Sequence, residues 1–237
     1  MFDPFGLTIL SRDASAICPA QRLAELANRP VKDMSREPAD RHDQILAVAA
    51  GLFASKGVAA TTVREIAEEV GILSGSLYHH FDSKEAMVDE ILAPYLKDLR
   101  EACKVVRSSA ADPRSKLHDL VAASLQVVEA HPHATEIYQS DVNYLSRSER
   151  FGYLTAAAGE VRRAWLEVIG DGVAQGAFRP DLEPGIVYRL MRDAVWLSVR
   201  WFRPTPDYPL SRFAEECTSL FLDGIATAPS ATALSES

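Results

Sequence analysis

From Asp40 onward, apolar residues return at steps of three and four: Ile45, Leu46, Ala49, Leu52 and Phe53. That is the period of a helix with one buried face. Gly57 ends the run as a glycine just past a helix C-terminus. Thr62-Val-Arg-Glu65 then has the spacing of a capping box, in which the threonine caps and the glutamate reaches back. Val63, Ile66, Ala67 and Val70 give this second, short helix a buried face, and Gly71 stops it. A third short helix is predicted over 74–80, with Leu77 and Phe81 pointing inward. Asp82-Ser-Lys-Glu85 reads as a second capping box that opens a long helix. Two short helices joined by a tight turn behind a longer one are the helix-turn-helix arrangement. Three short helices bury little surface alone, so the helix that follows without a linker is needed to support them.

The helical period continues to the end of the ordered pattern. Breaks at Asp112-Pro113, His131-Pro132, 146–148, 176–184 and 204–209 predict helices near 83–109, 114–130, 132–145, 149–176, 184–203 and 209–226. Strand alternation, internal repeats and a phosphate-loop glycine pattern are all missing from the sequence. The expected fold is therefore all-α, a three-helix helix-turn-helix head (40–84) on a six-helix body (85–227). Residues 1–39 carry Pro4, Pro19, Pro30 and Pro38 and no sustained period. They read as a disordered extension, with Met34 as an alternative start of translation. Residues 228–237 read as a disordered low-complexity tail.

Composition changes this picture little. Of the 237 residues, 47% are hydrophobic and 24% charged, an ordinary globular balance. Cys18, Cys103 and Cys217 lie far apart, so neither a disulfide framework nor a zinc site is indicated. The apolar runs are too short to span a membrane, and FGLTIL follows an aspartate rather than a basic region. A cytoplasmic protein with no membrane partner is expected. Charge matters more. The net charge is −8, and 38–84 hold four Lys/Arg against six Asp/Glu. A nucleic-acid domain often shows a basic footprint, so any DNA affinity here has to rest on local placement.

That placement is legible around GILSGSLYHHFDSKE. A helix entering a major groove needs small residues at its start, which Ser74, Gly75 and Ser76 supply. Donors that grip phosphates fix the register, and Tyr78, His80 and Lys84 are spaced for that. Thr61 and Thr62 at the start of the second helix offer hydroxyls and backbone N–H groups to another phosphate. Arg64 sits where a guanidinium reaches a guanine edge. His79 beside His80 also fits a metal pair or plain surface. Neighbours on a helix point about 100° apart, and no third ligand lies nearby in sequence.

A second constellation lies in VYRLMRDAVWLSVRWFRP. Arg192, Trp196 and Arg200 are four apart and share one helical stripe. Arginines within so apolar a helix need partners. Those partners are carboxylates such as Asp193, a second subunit, or an anionic, partly aromatic ligand. Tyr138, Asp141 and Tyr144 either line a pocket or face solvent.

ATTVREIAEEVGILSGSLYHHFDSKEAMVDEIL resembles the head of the TetR/AcrR family of transcriptional regulators. The resemblance implies a homodimer that grips a near-palindromic double-stranded operator and needs no cofactor. It implies phosphate contacts from Tyr78, His80 and Lys84, and base readers among Arg64, Ser74, Gly75 and Ser76. FRPDLEPGIVYR followed by RDxxWxSVRWxRP is similar to one subgroup, repressors of late steroid (cholesterol) ring catabolism. That likeness implies release by a steroid-derived CoA thioester and places Arg192 and Trp196 in the ligand site. Arg200 is added by helical spacing. A ligand-independent regulator, a regulator of another pathway and a helical acyl-CoA enzyme are the competing readings. The last has no nucleophile–base pair or catalytic glycine loop behind it.

Overall fold

The computed structural model describes residues 41–225. The expected extension at 1–39 and tail at 228–237 lie outside them. The described residues form α1 (Arg41–Lys56), α2 (Val63–Val70), α3 (Ser74–Leu77), α4 (Lys84–Arg107), α5 (Pro113–Ala130), α6 (Pro132–Leu145), α7 (Gly152–Ala174), α8 (Pro184–Trp196) and α9 (Leu210–Ile225). Single 3-10 turns at Glu149–Phe151 and Leu197–Arg200 precede α7 and extend α8. No strand occurs among the described residues, and none of their helices is long and apolar enough to cross a membrane.

In the head, α1 buries Ile45, Ala49, Ala50 and Phe53. Gly57 follows at φ 85°, a left-handed conformation that a residue with a Cβ adopts only under strain. The capping box of α2 forms as the sequence predicts. Thr62 Oγ1 accepts the Glu65 N–H at 3.2 Å, and Glu65 Oε2 accepts the Thr62 N–H at 2.8 Å. The Thr62 N–H, and then Lys56, pull the Glu65 carboxyl down to about 2. Gly71 closes α2 at φ 75°, its N–H directed at the Ala67 and Glu68 carbonyls.

Two local expectations are corrected. The third helix is one regular turn ending at Leu77. Residues 78–80 are tighter turns, with His79 N–H bonded to Ser76 O and His80 N–H to Leu77 O. This i→i−3 tightening brings Phe81 into the core directly ahead of the next helix, where it is 3% exposed. The cap of α4 is Ser83 rather than Asp82, and its hydroxyl accepts the Ala86 N–H.

α4 runs from head to body. Met87, Val88, Ile91 and Leu92 lie toward its start, and Tyr95, Leu99, Cys103 and Val106 continue its buried face. Pro94 interrupts its ladder by removing one N–H donor. Asp112 caps α5 and Pro113 fills its first position, a preferred N-terminal arrangement. α5 packs against α4, α7 and α9, and α7 against α4 and α8. Trp165 on α7 is fully buried among these helices. Exposed pairs Arg100–Glu160 at 2.6 Å and Arg107–Glu167 at 3.4 Å cross from α4 to α7.

The head is fixed to the body through α6 as well as α4. α1 packs directly on α6, and the Val58 N–H donates to Asp141 Oδ2 at 3.3 Å.

Candidate nucleic-acid interface and aromatic cluster of the body

The start of α3 is an outward surface with little internal reason for its composition. Leu73, the residue before the helix, is 79% exposed, and Tyr78 at its end is 56% exposed. His79, His80 and Gly75 are exposed, while Ser74 and Ser76 are half-buried. A Cβ placed on Gly75 meets nothing within 4 Å, and its φ is not positive. Neither packing nor backbone strain therefore calls for glycine there. Leu73 gave no polar signal in the sequence, and its exposure is known only from the fold.

Arg64 projects from α2 and pairs with Glu68 at 2.7 Å. Both partners are exposed, so water screens the pair and the guanidinium exchanges partners at little cost. Thr62 is exposed, with its hydroxyl and N–H held in the capping box. The Val63 and Arg64 N–H groups, among the first of α2, have no partner within the described chain, as is usual at a helix start.

Two residues expected on this face are turned inward. Thr61 is 1% exposed, and its hydroxyl donates to the Gly57 carbonyl at 2.8 Å. Lys84 Nζ donates to the carbonyls of Val58 at 2.7 Å and Thr61 at 3.0 Å. The ammonium thus satisfies the loop between α1 and α2, leaving one N–H at most for any outside anion. Sequence spacing gives the position of a lysine but not which of two faces its long stem follows.

In the body, the structure brings Tyr138, Trp196 and Arg192 to one region. Trp196 is 2% exposed, and its ring centroid lies 5.7 Å from that of Trp165. Trp165 also meets Tyr188 at 6.1 Å, and Tyr138 meets Tyr95 at 5.8 Å. Burial raises the Tyr138 and Tyr188 pKa values, while the Arg192 charge pulls both the other way, which sets Arg192 electrostatically beside them. Arg192 itself is half-exposed and bonded to Asp193 Oδ1 through Nε at 2.8 Å and Nη2 at 2.6 Å.

Arg200 does not continue the expected straight stripe. The chain tightens to 3-10 geometry from Leu197, which turns a residue four positions on by about 80° more than an α-helix would. Arg200 is exposed, and its guanidinium donates to Ser140 Oγ on α6 at 3.1 Å. His131 precedes α6. Its Nε2 is 2.9 Å from Asp98 Oδ2, a bridge between α4 and the start of α6.

Comparison with known proteins agrees with this geometry. Residues 45–91 match the description "Bacterial regulatory proteins, tetR family", and residues 110–225 match "Tetracyclin repressor-like, C-terminal domain". The HTH-type transcriptional repressor KstR2 of Rhodococcus jostii is 43% identical over 84% of this chain and 97% of its own length. The solved ketosteroid transcriptional regulator KstR2 of Mycobacterium tuberculosis superposes with a TM-score of 0.74 at 40% identity, covering 81% of this chain and 97% of that one. The fold alone is shared with AibR, solved in complex with isovaleryl coenzyme A and operator DNA. That pair has a TM-score of 0.65 at 21% identity, over 76% of this chain and 97% of the other. With a helix-turn-helix head and a helical body both matched, the chain belongs to the TetR family as a DNA-binding transcriptional repressor.

Proposed function

We propose that this chain acts as a homodimer that grips a near-palindromic operator and is released by an acyl-CoA thioester from steroid ring degradation. The head is 40–84 and the body 85–227. Support for the DNA contact rests on the start of α3, where the fold does not require Gly75 and Leu73 stands 79% exposed. Ser74, Gly75 and Ser76 admit the major groove, and Leu73 offers an apolar contact of the kind a thymine methyl accepts. Tyr78, His79, His80 and Arg64 supply donors, and the first N–H groups of α2 face a second phosphate. The head's few cations give a shallow dependence of affinity on salt.

Exposed Ile186 and Leu190 on α8 and Leu220 on α9 present apolar surface to a second copy. Arg192, Tyr138 and Trp196 support an effector with an anionic part and a flat apolar part. The arginine suits phosphate or carboxylate, and the aromatic rings suit a ring system. Arg200 is held at Ser140 on α6, away from the Arg192–Trp196 stripe. KstR2 is described as a ketosteroid transcriptional regulator, and AibR was solved with isovaleryl coenzyme A, so a coenzyme A ester is a ligand that this fold accommodates.

A gel shift on DNA upstream of the protein's own gene, with CoA thioesters added, tests this reading. Release by a steroid-derived CoA ester, but not by CoA or the free acid, is the expected result. A shifted band that no thioester relieves would remove the effector and leave the DNA contact.

A further inference from the structure

The outer seam between α4 and α7 gathers cations. Lys97, Arg100, Lys104 and Arg107 follow one another on α4 at steps of three and four, so they form one stripe of that helix. Arg163 joins them from α7 around a cavity of about 480 Å³. A second cavity of about 310 Å³ shares Lys97, Arg100 and Glu160 with the first and prolongs the groove toward Tyr153. The larger cavity is lined by those five cations against two carboxylates, Glu101 and Glu160, in a chain whose net charge is −8. Its floor is apolar, with Cys103, Val161 and Ala164 buried there.

The chain's own carboxylates do not neutralise this groove. Arg100 takes Glu160 at 2.6 Å, Arg107 takes Glu167 at 3.4 Å, and Lys104 lies 3.6 Å from Glu101. Lys97 and Arg163 have no ion-pair partner among the described residues. The three pairs are exposed to water, so each contributes little and its cation exchanges partners readily. Cations thus stand on both banks, two of them free and three held loosely. The volume lies within the range of small-molecule sites, about 300–1,000 Å³. None of the lining residues belongs to α6 or α8, which carry Tyr138, Arg192 and Trp196, so the groove is separate from the effector reading above. It is separate from the DNA face as well, since Lys97 and Lys84 are about 20 Å apart along α4 at 1.5 Å per residue.

Charge and spacing narrow the ligand. An external carboxylate carries one charge, as Glu160 and Glu167 do, and those two are already in place. A phosphate group carries about −1.5 to −2 near neutral pH and presents three strong acceptor oxygens. A guanidinium fork takes two such oxygens at once. Two linked phosphates are long enough to engage both banks together. We propose that the α4–α7 groove binds a small oligophosphate anion, held by Lys97 and Arg163 and by Arg100 as it exchanges Glu160 for phosphate. One ligand then fastens α4, the helix between head and body, to α7. The groove is open to water, so affinity falls as salt rises. A free inorganic oligophosphate and the diphosphate of a nucleotide present the same groups, and the test separates them.

The test uses the full-length protein and titration calorimetry at fixed, physiological ionic strength. The probes are inorganic pyrophosphate, ADP, orthophosphate and citrate. Pyrophosphate should bind once per chain, about tenfold or more tighter than orthophosphate or citrate, and raise the melting temperature. ADP that matches or exceeds pyrophosphate makes a nucleotide diphosphate the source, and ADP that fails to bind makes it the free inorganic anion. Replacing Lys97 and Arg163 together by alanine should weaken pyrophosphate about tenfold or more. The free double variant should melt as wild type does, because neither side chain is ion-paired within the described chain. Glu160→Gln should tighten pyrophosphate, since Arg100 loses its competing charge. Arg147→Ala, an exposed arginine just beyond α6, should change nothing.

Pyrophosphate that does not bind wild type would overturn the proposal. So would citrate that binds as tightly as pyrophosphate, because the groove would then attract any polyanion alike. A double variant with wild-type affinity, or an Arg147→Ala variant that loses as much as the double variant, would place the anion elsewhere. Glu160→Gln that binds pyrophosphate no more tightly would overturn the exchange at Arg100.

Discussion

Replacing Asp141 with alanine probes how the body addresses the head. Val58 is 1% exposed, and its N–H donates to Asp141 Oδ2 at 3.3 Å. Gly57, beside it, is held at φ 85°, and a Cβ there would lie 3.5 Å from Asp141 Oδ1. A hydrogen bond to a charged acceptor contributes about 1.5–3 kcal/mol, and leaving the donor buried without an acceptor costs about 1–3 kcal/mol. The 3.3 Å length is beyond the usual N–H···O range, so the low end applies, about 1.5 kcal/mol. For a protein of this size that lowers the melting temperature by about 3–6 °C. Asp141→Asn keeps an acceptor oxygen and should lose less.

The same contact starts from α6, the helix that also carries part of the aromatic cluster. Tyr138, Ser140 and Asp141 share α6, with Tyr138 in the aromatic cluster, Ser140 bonded to Arg200 and Asp141 bonded to Val58. If the proposed effector moves α6, the Asp141 contact carries that movement to the α1–α2 loop. Losing about 1.4 kcal/mol of coupling changes effector-driven release by about tenfold. Asp141→Ala should therefore need up to about tenfold more effector for half-release in a gel shift, with Asp141→Asn between it and wild type. An alanine variant that melts and releases as wild type does would refute the reasoning.

Tyr78→Ala should weaken operator binding across sequences while leaving the melting temperature unchanged, since the ring is 56% exposed; unchanged DNA affinity in a gel shift would sink the head assignment. Lys84→Ala should lower thermal stability by about 1–2 kcal/mol as well as DNA affinity, because it deprives the Val58 and Thr61 carbonyls of a donor. A variant with wild-type stability would return Lys84 to a purely phosphate-facing role. Arg192→Ala should spare DNA binding and abolish release by the effector; continued induction would misplace the ligand site. Gly172→Ala puts a Cβ 2.1 Å from the Phe178 ring, which is 1% exposed. Overpacking of this kind costs about 1–3 kcal/mol, read as a lowered denaturation midpoint.

Local signals in the sequence were sufficient for α1, α2 and the glycine stops after them, while the end of α3 and the Ser83 cap of α4 needed the structure. The Thr62–Glu65 box, the glycines at 57 and 71 and the Ile45–Phe53 stripe act within a few residues of themselves, so spacing alone determined the helices and their turn. The proline breaks did the same for α5, α6 and α8. Direction and partnership depended on the fold. Thr61 and Lys84 were legible as positions, but only packing turned them toward the Gly57, Val58 and Thr61 carbonyls. The α8 stripe was legible through Trp196, and the switch to 3-10 geometry that redirects Arg200 was not. Trp165, Tyr95 and Asp141 carried no motif. Their neighbours come from helices far away in sequence, Val58 and Asp141 being 83 residues apart. Helix periods and caps are properties of a short stretch of chain. Which cations face one another across a groove, and which loop a carboxylate holds, are decided only when distant helices meet.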